Sequence, residues 1–207
     1  MSLTRPGTPF IYLASQSPRR RDMLDLMHIP VELLLAEDDE DVEALETSRL
    51  NELPRAYVRR VTRLKAEAAL DRLQSRGLMR APILVGDTTV ALGPTILGKP
   101  ADADDARRIL SMLSGRTHRV LTAIAVADVS RVETAVCESR VRFRTIESDE
   151  IDAYIASGEP FGKAGAYAIQ GRAAAFVEHI SGSHSGIVGL PLFETTQLLK
   201  LFGIRPG

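Results

Sequence analysis

Residues 120–129, VLTAIAVADV, are almost continuously apolar and rich in β-branched and alanine side chains. A strand with one wet face would alternate, so a run of this kind reads as a strand buried on both faces. Residues 83–92, ILVGDTTVAL, form a second such strand and carry Asp87 and Thr88 in its middle. Shorter apolar runs at 10–14 and 31–36 read as two more strands, and 173–180 as another. Around 140–144 the pattern alternates, with Val141 and Phe143 on one face and Arg140, Arg142 and Arg144 on the other. That is a half-exposed antiparallel strand, and its arginines read as a solvated face.

Helical segments lie between these strands. Ser17 and Pro18 open a helix to about residue 27, with Met23, Leu24 and Met27 as its apolar stripe. Pro54 opens a long helix to about residue 76, whose stripe is Tyr57, Val61, Leu64 and Ala68, with Lys65 at its edge. Asp102 caps a third helix, with Asp104 and Asp105 favoured by the dipole in its first turn and Ile109, Leu110 and Leu113 buried. A short helix over 148–157 is stopped by Gly158, and Pro191 opens a last one ending near Phe202. Residues 37–46 and 182–186 read as surface loops, and 1–9 as a short disordered lead. The expected fold is α/β: a mixed, twisted central sheet flanked by helices, with two lobes around a cleft, in a single domain over 10–207.

The chain has 207 residues, with 26 Lys+Arg against 27 Asp+Glu and a net charge of −1. That balance gives no bulk electrostatic grip on nucleic acid or an anionic membrane. A hydrophobic fraction of 44% and a charged fraction of 26% fit a globular chain and exclude disorder, collagen and coiled coil. Cys137 has no intrachain partner and reads as a small buried core residue in a reducing compartment. The start, MSLTRPGTPFIYLAS, has no apolar signal core, and no run reaches the ~18 apolar residues of a membrane span. A cytoplasmic protein is expected.

Six features carry possible chemistry. In SQSPRRR a strand end, a polar turn and a helix start favour an anion, to which Arg19 and Arg20 add fixed charge. Asp87 is a carboxylate inside a β-branched run, costly unless paired or metal-bound. Lys99 follows in a tight loop, and Lys65 sits at its helix edge, where a snorkelling lysine is the plain alternative. The acids from Glu37 to Asp41 offer hard oxygens to a divalent cation. In GAYAIQG the glycines allow close backbone approach, and Gln170 offers both a donor and an acceptor to the edge of a base. His179 and His184 lack zinc spacing and read as satisfied structural histidines.

Taken together, LASQSPRR, LKAEAA, VGDTTV, LGKP, LSGRTHRV, YIASGEPFGKAGAYAIQG and GSHSGIVGLPLFET, in this order, resemble the Maf family over about residues 10–203. The resemblance implies an α/β fold with a cleft and a nucleoside triphosphate pyrophosphatase that uses a divalent metal, Mg²⁺ or Mn²⁺. It also implies a homodimer and a link to inhibition of septum formation. It makes Asp87 the proton acceptor and a metal ligand, and it places Ser15, Arg19 and Arg20 on the substrate. Lys65 and Lys99 become the catalytic lysines. The loop acid falls on Glu40, with Asp39 and Asp41 as alternatives. Arg19, Thr88 and Gln170 match the subgroup acting on dTTP and UTP rather than 7-methyl-GTP. The same reaction on another base, or a non-catalytic nucleotide-binding regulator of division, are the rival readings.

Overall fold

The computed structural model describes residues 10–37 and 40–205. The expected lead over 1–9, Asp38 and Asp39 among the candidate acids, and the last two residues of the expected domain lie outside the described residues. Seven strands form one sheet: β1 (Ile11–Leu13), β2 (Val31–Leu33), β3 (Ile83–Leu92), β4 (Thr95–Leu97), β5 (Thr117–Ala127), β6 (Val132–Phe143) and β7 (Val177–Ser181). The order is β2-β1-β3-β5-β6-β7, with β4 paired to β3. β1 lies parallel to β2 and β3, while β3, β5, β6 and β7 pair antiparallel. The sheet is therefore mixed, as expected. β3 and β5 are its centre and bury nearly every residue, which accounts for their continuous apolar runs.

The helices are α1 (Pro18–Leu26), α2 (Pro54–Ser75), α3 (Ala103–Leu113), α4 (Ser148–Ala156), α5 (His184–Val188) and α6 (Leu192–Leu201). They cover the sheet through separate apolar clusters. Leu24, Leu198 and Leu199 meet Leu84 and Ile124 in one cluster, while Ala66, Ala69 and Leu73 of α2 meet Ile83 and Val85 in another. A third cluster gathers α3, α4 and the 164–176 segment around Val90, Val120 and Phe143. The Asp102 side chain caps α3 by accepting from Asp105 N at 2.8 Å, as its position suggested.

Four local readings are corrected. The buried face of α2 keeps Tyr57 and Val61 of the expected stripe and adds Val58, Thr62, Ala66, Ala69 and Leu73, whereas Leu64 and Ala68 of that stripe are half-buried. The expected strand over 173–180 is a 3-10 turn, Arg172–Phe176, followed by β7. The 182–186 loop contains the start of α5, capped by the Ser183 hydroxyl accepting from Gly186 N at 3.0 Å. His179 and His184 are exposed rather than satisfied in the core. Cys137 is buried, as expected.

The buried histidine is His118, on β5. Its Nε2 lies 2.8 Å from the Tyr167 hydroxyl, and its ring packs edge-on to Phe143. Burial opposes its protonation and pushes its pKa down to about 4. The unfolded chain takes up this proton near pH 6.5 and the native protein resists until near 4. The contribution of the neutral ring is thus complete above pH 6.5 and lost as pH falls through that window. The total is about 3 kcal/mol. Urea midpoints measured from pH 7.5 to 4 are expected to fall accordingly, with a shallower fall for His118→Gln; equal slopes for both proteins count against this assignment.

Candidate active site

The site forms where the centre of the sheet meets the polar segment before α1 and the loops preceding α2 and α3. It is a cavity of about 830 Å³, of the size that takes a small organic ligand. Ser15, Arg19, Arg20, Lys65, Asp87, Thr88, Lys99, Gln170 and Glu40 all line it. The structure thus brings these nine candidates to one cavity, in a lysine–carboxylate group, an arginine–glutamate group, the Arg20 turn and a rim.

The first group is built on β3 and α2. Asp87 is 8% exposed, in the middle of the strand. Lys65 comes from the edge of α2, and its Nζ donates to Asp87 Oδ1 and to Glu46 Oε1, both at 2.7 Å. Lys99, in the loop after β4, reaches Glu46 Oε2 at 3.2 Å. Glu46 closes a 3-10 turn, Glu43–Glu46, and the Tyr57 hydroxyl of α2 holds its carbonyl at 2.8 Å. Burial opposes the charge of the Glu46 carboxylate, but Lys65 and Lys99 more than offset this and hold its pKa below the usual glutamate value. Burial, with the negative field of Asp87 and Glu46, pushes the Tyr57 phenol up to about 12.

The second group is the Glu40 carboxylate and two arginines of α2 and its C-terminal end, Arg72 and Arg76, the latter with Nη2 3.5 Å from Oε1. Arg72 of α2 binds Glu40 bidentately, Nε to Oε1 at 2.8 Å and Nη2 to Oε2 at 2.5 Å, and also donates to the Leu34 carbonyl. The hydrogen bond from Arg72 outweighs desolvation and keeps the Glu40 carboxyl below the usual range. Glu40 therefore stands on Arg72, while the acid that shares Lys65 with Asp87 is Glu46. In the sequence Glu46 stands at the end of an acidic stretch that reads as a surface loop. Its only sequence signal is an acid eight residues before Pro54, which says nothing about which side chain the loop turns inward.

Arg20 ties three chain segments together. Its Nε donates to the Gly189 carbonyl at 2.9 Å, Nη1 to Ser15 Oγ at 2.9 Å, and Nη2 faces Thr88 Oγ1 at 3.5 Å. The guanidinium lies over Gly86, where a Cβ would sit 3.2 Å from Arg20 Nε. Ser17 occupies the N-cap position of α1 but its side chain makes no capping bond; instead Ser15 Oγ accepts from Ser17 N at 3.3 Å. The polar turn is thereby shaped around Arg20. Burial lowers the pKa of Arg19 and of Arg20, the latter against the pull of Asp87 and Glu46, and both stay charged at neutral pH.

Gln170 is exposed on the cavity rim. Its segment is fastened by Gly165, whose N–H donates to the Gly98 carbonyl at 3.0 Å, next to Lys99. Gly165 has φ of +72°, and a Cβ there would lie 2.8 Å from Val90. Lys163, a lining residue not singled out in the sequence, donates to the Phe161 carbonyl at 3.0 Å. Gly165→Ala must distort both the backbone and the Val90 contact, and is expected to cost roughly 3 kcal/mol. Thermal and urea unfolding check this, and a variant as stable as the parent would show that the segment yields freely.

A family model described as Maf-like protein matches residues 10–202. The chain is 61% identical over 196 residues to the dTTP/UTP pyrophosphatase of Albidiferax ferrireducens, covering 95% of this chain and 98% of that protein. It is 59% identical over 198 residues to the dTTP/UTP pyrophosphatase of Cupriavidus metallidurans, covering 96% and 99% respectively. The protein of the same name from Ralstonia nicotianae is 59% identical over 200 residues, with 96% and 97% covered. A match across nearly the whole length places this chain in the Maf family.

Proposed function

We propose that this protein hydrolyses dTTP and UTP to the monophosphate and pyrophosphate. The names of its relatives support the substrates, and the observation that carries the chemistry is Asp87 held by Lys65 at a cavity rich in arginine and lysine. A triphosphate needs concentrated positive charge, supplied by Arg19, Arg20, Lys65 and Lys99. Arg20 is pre-aimed by the Gly189 carbonyl and Ser15, so little ordering is left for the moment of binding. With Oδ1 fixed by Lys65, Asp87 orients a water through Oδ2 and takes its proton as the water attacks the α-phosphorus in line. The bond from the α-phosphorus to the bridging oxygen breaks, and pyrophosphate leaves with that oxygen while the lysines and arginines hold its charge.

The donors fit a divalent cation. Asp87 and Glu46 are hard carboxylates that already converge on one positive centre, the Lys65 ammonium. Among the described residues no group of three or more His, Cys, Asp and Glu side chains is arranged to hold a metal. One or two carboxylates with substrate phosphates are an ordinary Mg²⁺ arrangement. Such an ion, Mg²⁺ or Mn²⁺, supplies charge neutralisation at the phosphates and lowers the pKa of water. The resemblance points to Glu40 as the second ligand, and the geometry favours Glu46, because Glu40 is engaged by Arg72. Gln170 and Thr88 take the base, and Arg19 adds to its selection. A homodimer in the cytoplasm goes with this reading, and light scattering tests the dimer. No helix among the described residues is long and apolar enough to cross a membrane.

Pyrophosphate release from a panel of nucleoside triphosphates is expected to be fast with dTTP and UTP and slow with purines. Asp87→Asn is expected to lower kcat by about 10²–10⁴-fold with the fold intact by circular dichroism. An active Asp87→Asn protein removes the assigned role, and release from no nucleotide favours a non-catalytic nucleotide-binding regulator.

A metal titration separates the acids. Glu46→Gln is expected to raise the Mg²⁺ concentration at half-maximal rate by about tenfold or more. Glu40→Gln leaves buried Arg72 without its partner, so its loss is expected in stability, on the order of 3 kcal/mol. The opposite pattern returns the metal to Glu40.

A further inference from the structure

Thr88 meets the cavity on one side and a buried hydroxyl, Thr122, on the other. Thr122 lies on β5 directly across from Thr88 in the antiparallel pair, and it is 1% exposed. The two hydroxyl oxygens are 2.9 Å apart. Taken alone, that contact leaves the donor open. The next contact decides it. Thr122 Oγ1 lies 2.7 Å from the Gly186 carbonyl oxygen of α5. A carbonyl has no hydrogen to give, so Thr122 is the donor there and its single proton is used. The bond between the threonines must then carry the proton of Thr88. The proton of Thr88 is used as well, and what remains on its oxygen is lone pairs. Arg20 Nη2, a group that can only donate, approaches that oxygen at 3.5 Å. Both neighbours of Thr88 therefore demand the same polarity. Reversing it would strip the buried Gly186 carbonyl of its donor.

We propose that Thr122 is a positioning residue for substrate choice: it fixes the Thr88 hydroxyl as an acceptor toward the cavity. This rests on the reading above that Thr88 meets the base. A ligand group facing Thr88 must then bring a hydrogen. The imide N3–H of uracil and thymine does so. The bare N3 of cytosine presents a second acceptor and is rejected, since two lone pairs face each other in a site where no proton is free to turn. The discrimination is built before any ligand arrives, because the Gly186 carbonyl that starts the relay is held by α5. The Gly186 N–H is bound by the Ser183 hydroxyl at 3.0 Å.

The test compares kcat/KM for UTP and CTP in the full-length wild type, Thr122→Val, Thr122→Ser and Thr88→Val. Thr122→Val keeps the volume but frees the Thr88 proton to turn into the cavity. It is expected to lower the UTP/CTP ratio by tenfold or more, with part of the change a gain on CTP. Thr122→Ser keeps the hydroxyl and is expected to restore the ratio, which a packing role for the threonine methyl would not do. Thr88→Val is expected to lose the ratio too, without the gain on CTP, having neither donor nor acceptor. If Thr122→Val folds poorly, Thr122→Ala removes the same hydroxyl and must lower the ratio in the same way. An unchanged ratio in the hydroxyl-free variants, or an equal loss in Thr122→Ser, overturns the proposal. A wild type that releases pyrophosphate from UTP and CTP alike overturns the reading of Thr88 as a base contact, and a wild type inactive on both removes the pyrophosphatase reading itself.

Discussion

One ammonium group organises this molecule's cavity. Lys65 Nζ sits at 2.7 Å from both Asp87 and Glu46, in a side chain only 14% exposed. A carboxylate in the middle of a central strand would be costly without such a partner, and an ammonium this sheltered would be costly without at least one carboxylate. The strand and the long helix are thus locked in relative rotation by a polar contact as well as by Ala66, Ala69 and Leu73 packing on Ile83 and Val85. The same contact explains why Lys65 lies at the edge of the buried face of α2: one step inward it would be starved of partners, and one step outward it would miss Asp87.

Around that contact the chain spends rigidity where substrate charge is to be received. Arg20 is bound through all three of its nitrogens, to a loop oxygen, a serine and a strand threonine. Planar donors fixed in this way lose little freedom when an anion arrives, in contrast to a solvated surface arginine. Such fixing requires room, which Gly86 supplies by having no side chain beneath the guanidinium. The elements that hold Arg20 come from both ends of the chain, the 15–20 segment and Gly189. The site therefore cannot form before the C-terminal part of the chain has docked.

Much of this was readable in the residues, for reasons that can be named. Continuous burial in β3 and β5 left a continuous apolar signal, and the cap at Asp102 and the first-turn proline at Pro54 marked helix starts to the residue. The cavity residues were found because each stands in a compact motif. What escaped notice depends on contacts distant in sequence. On α2 the periodicity finds Tyr57 and Val61 but then follows Leu64 and Ala68, which mimic a stripe that Thr62, Ala66 and Ala69 complete. α5 reads as a loop because a five-residue helix, too short to form alone and holding a glycine and a β-branched end, carries little intrinsic helix propensity; its Ser183 cap and its packing on β5 and β6 make it. Glu46 is the most instructive omission. An acidic run reads as solvated, and only Tyr57 gripping its backbone and Lys65 and Lys99 gripping its carboxylate show that one acid of the run turns inward.

The two acids in that run also show why composition misleads at such sites. Glu40 and Glu46 line the same cavity, carry the same group and lie six residues apart. Their chemistry differs chiefly through their partners. Glu40 faces the planar guanidinium of Arg72, which fills both its oxygens, with Arg76 beside it, leaving a geometrically closed cluster. Glu46 faces two ammonium groups, which are point charges and impose no plane, so its oxygens are held by attraction rather than by a matching fork. A phosphate or a divalent cation can compete for partners of the second kind by charge alone. To displace the first it must break two aligned hydrogen bonds at once. The distinction between a structural and a reactive carboxylate in this cavity is therefore set by whether arginine or lysine stands opposite.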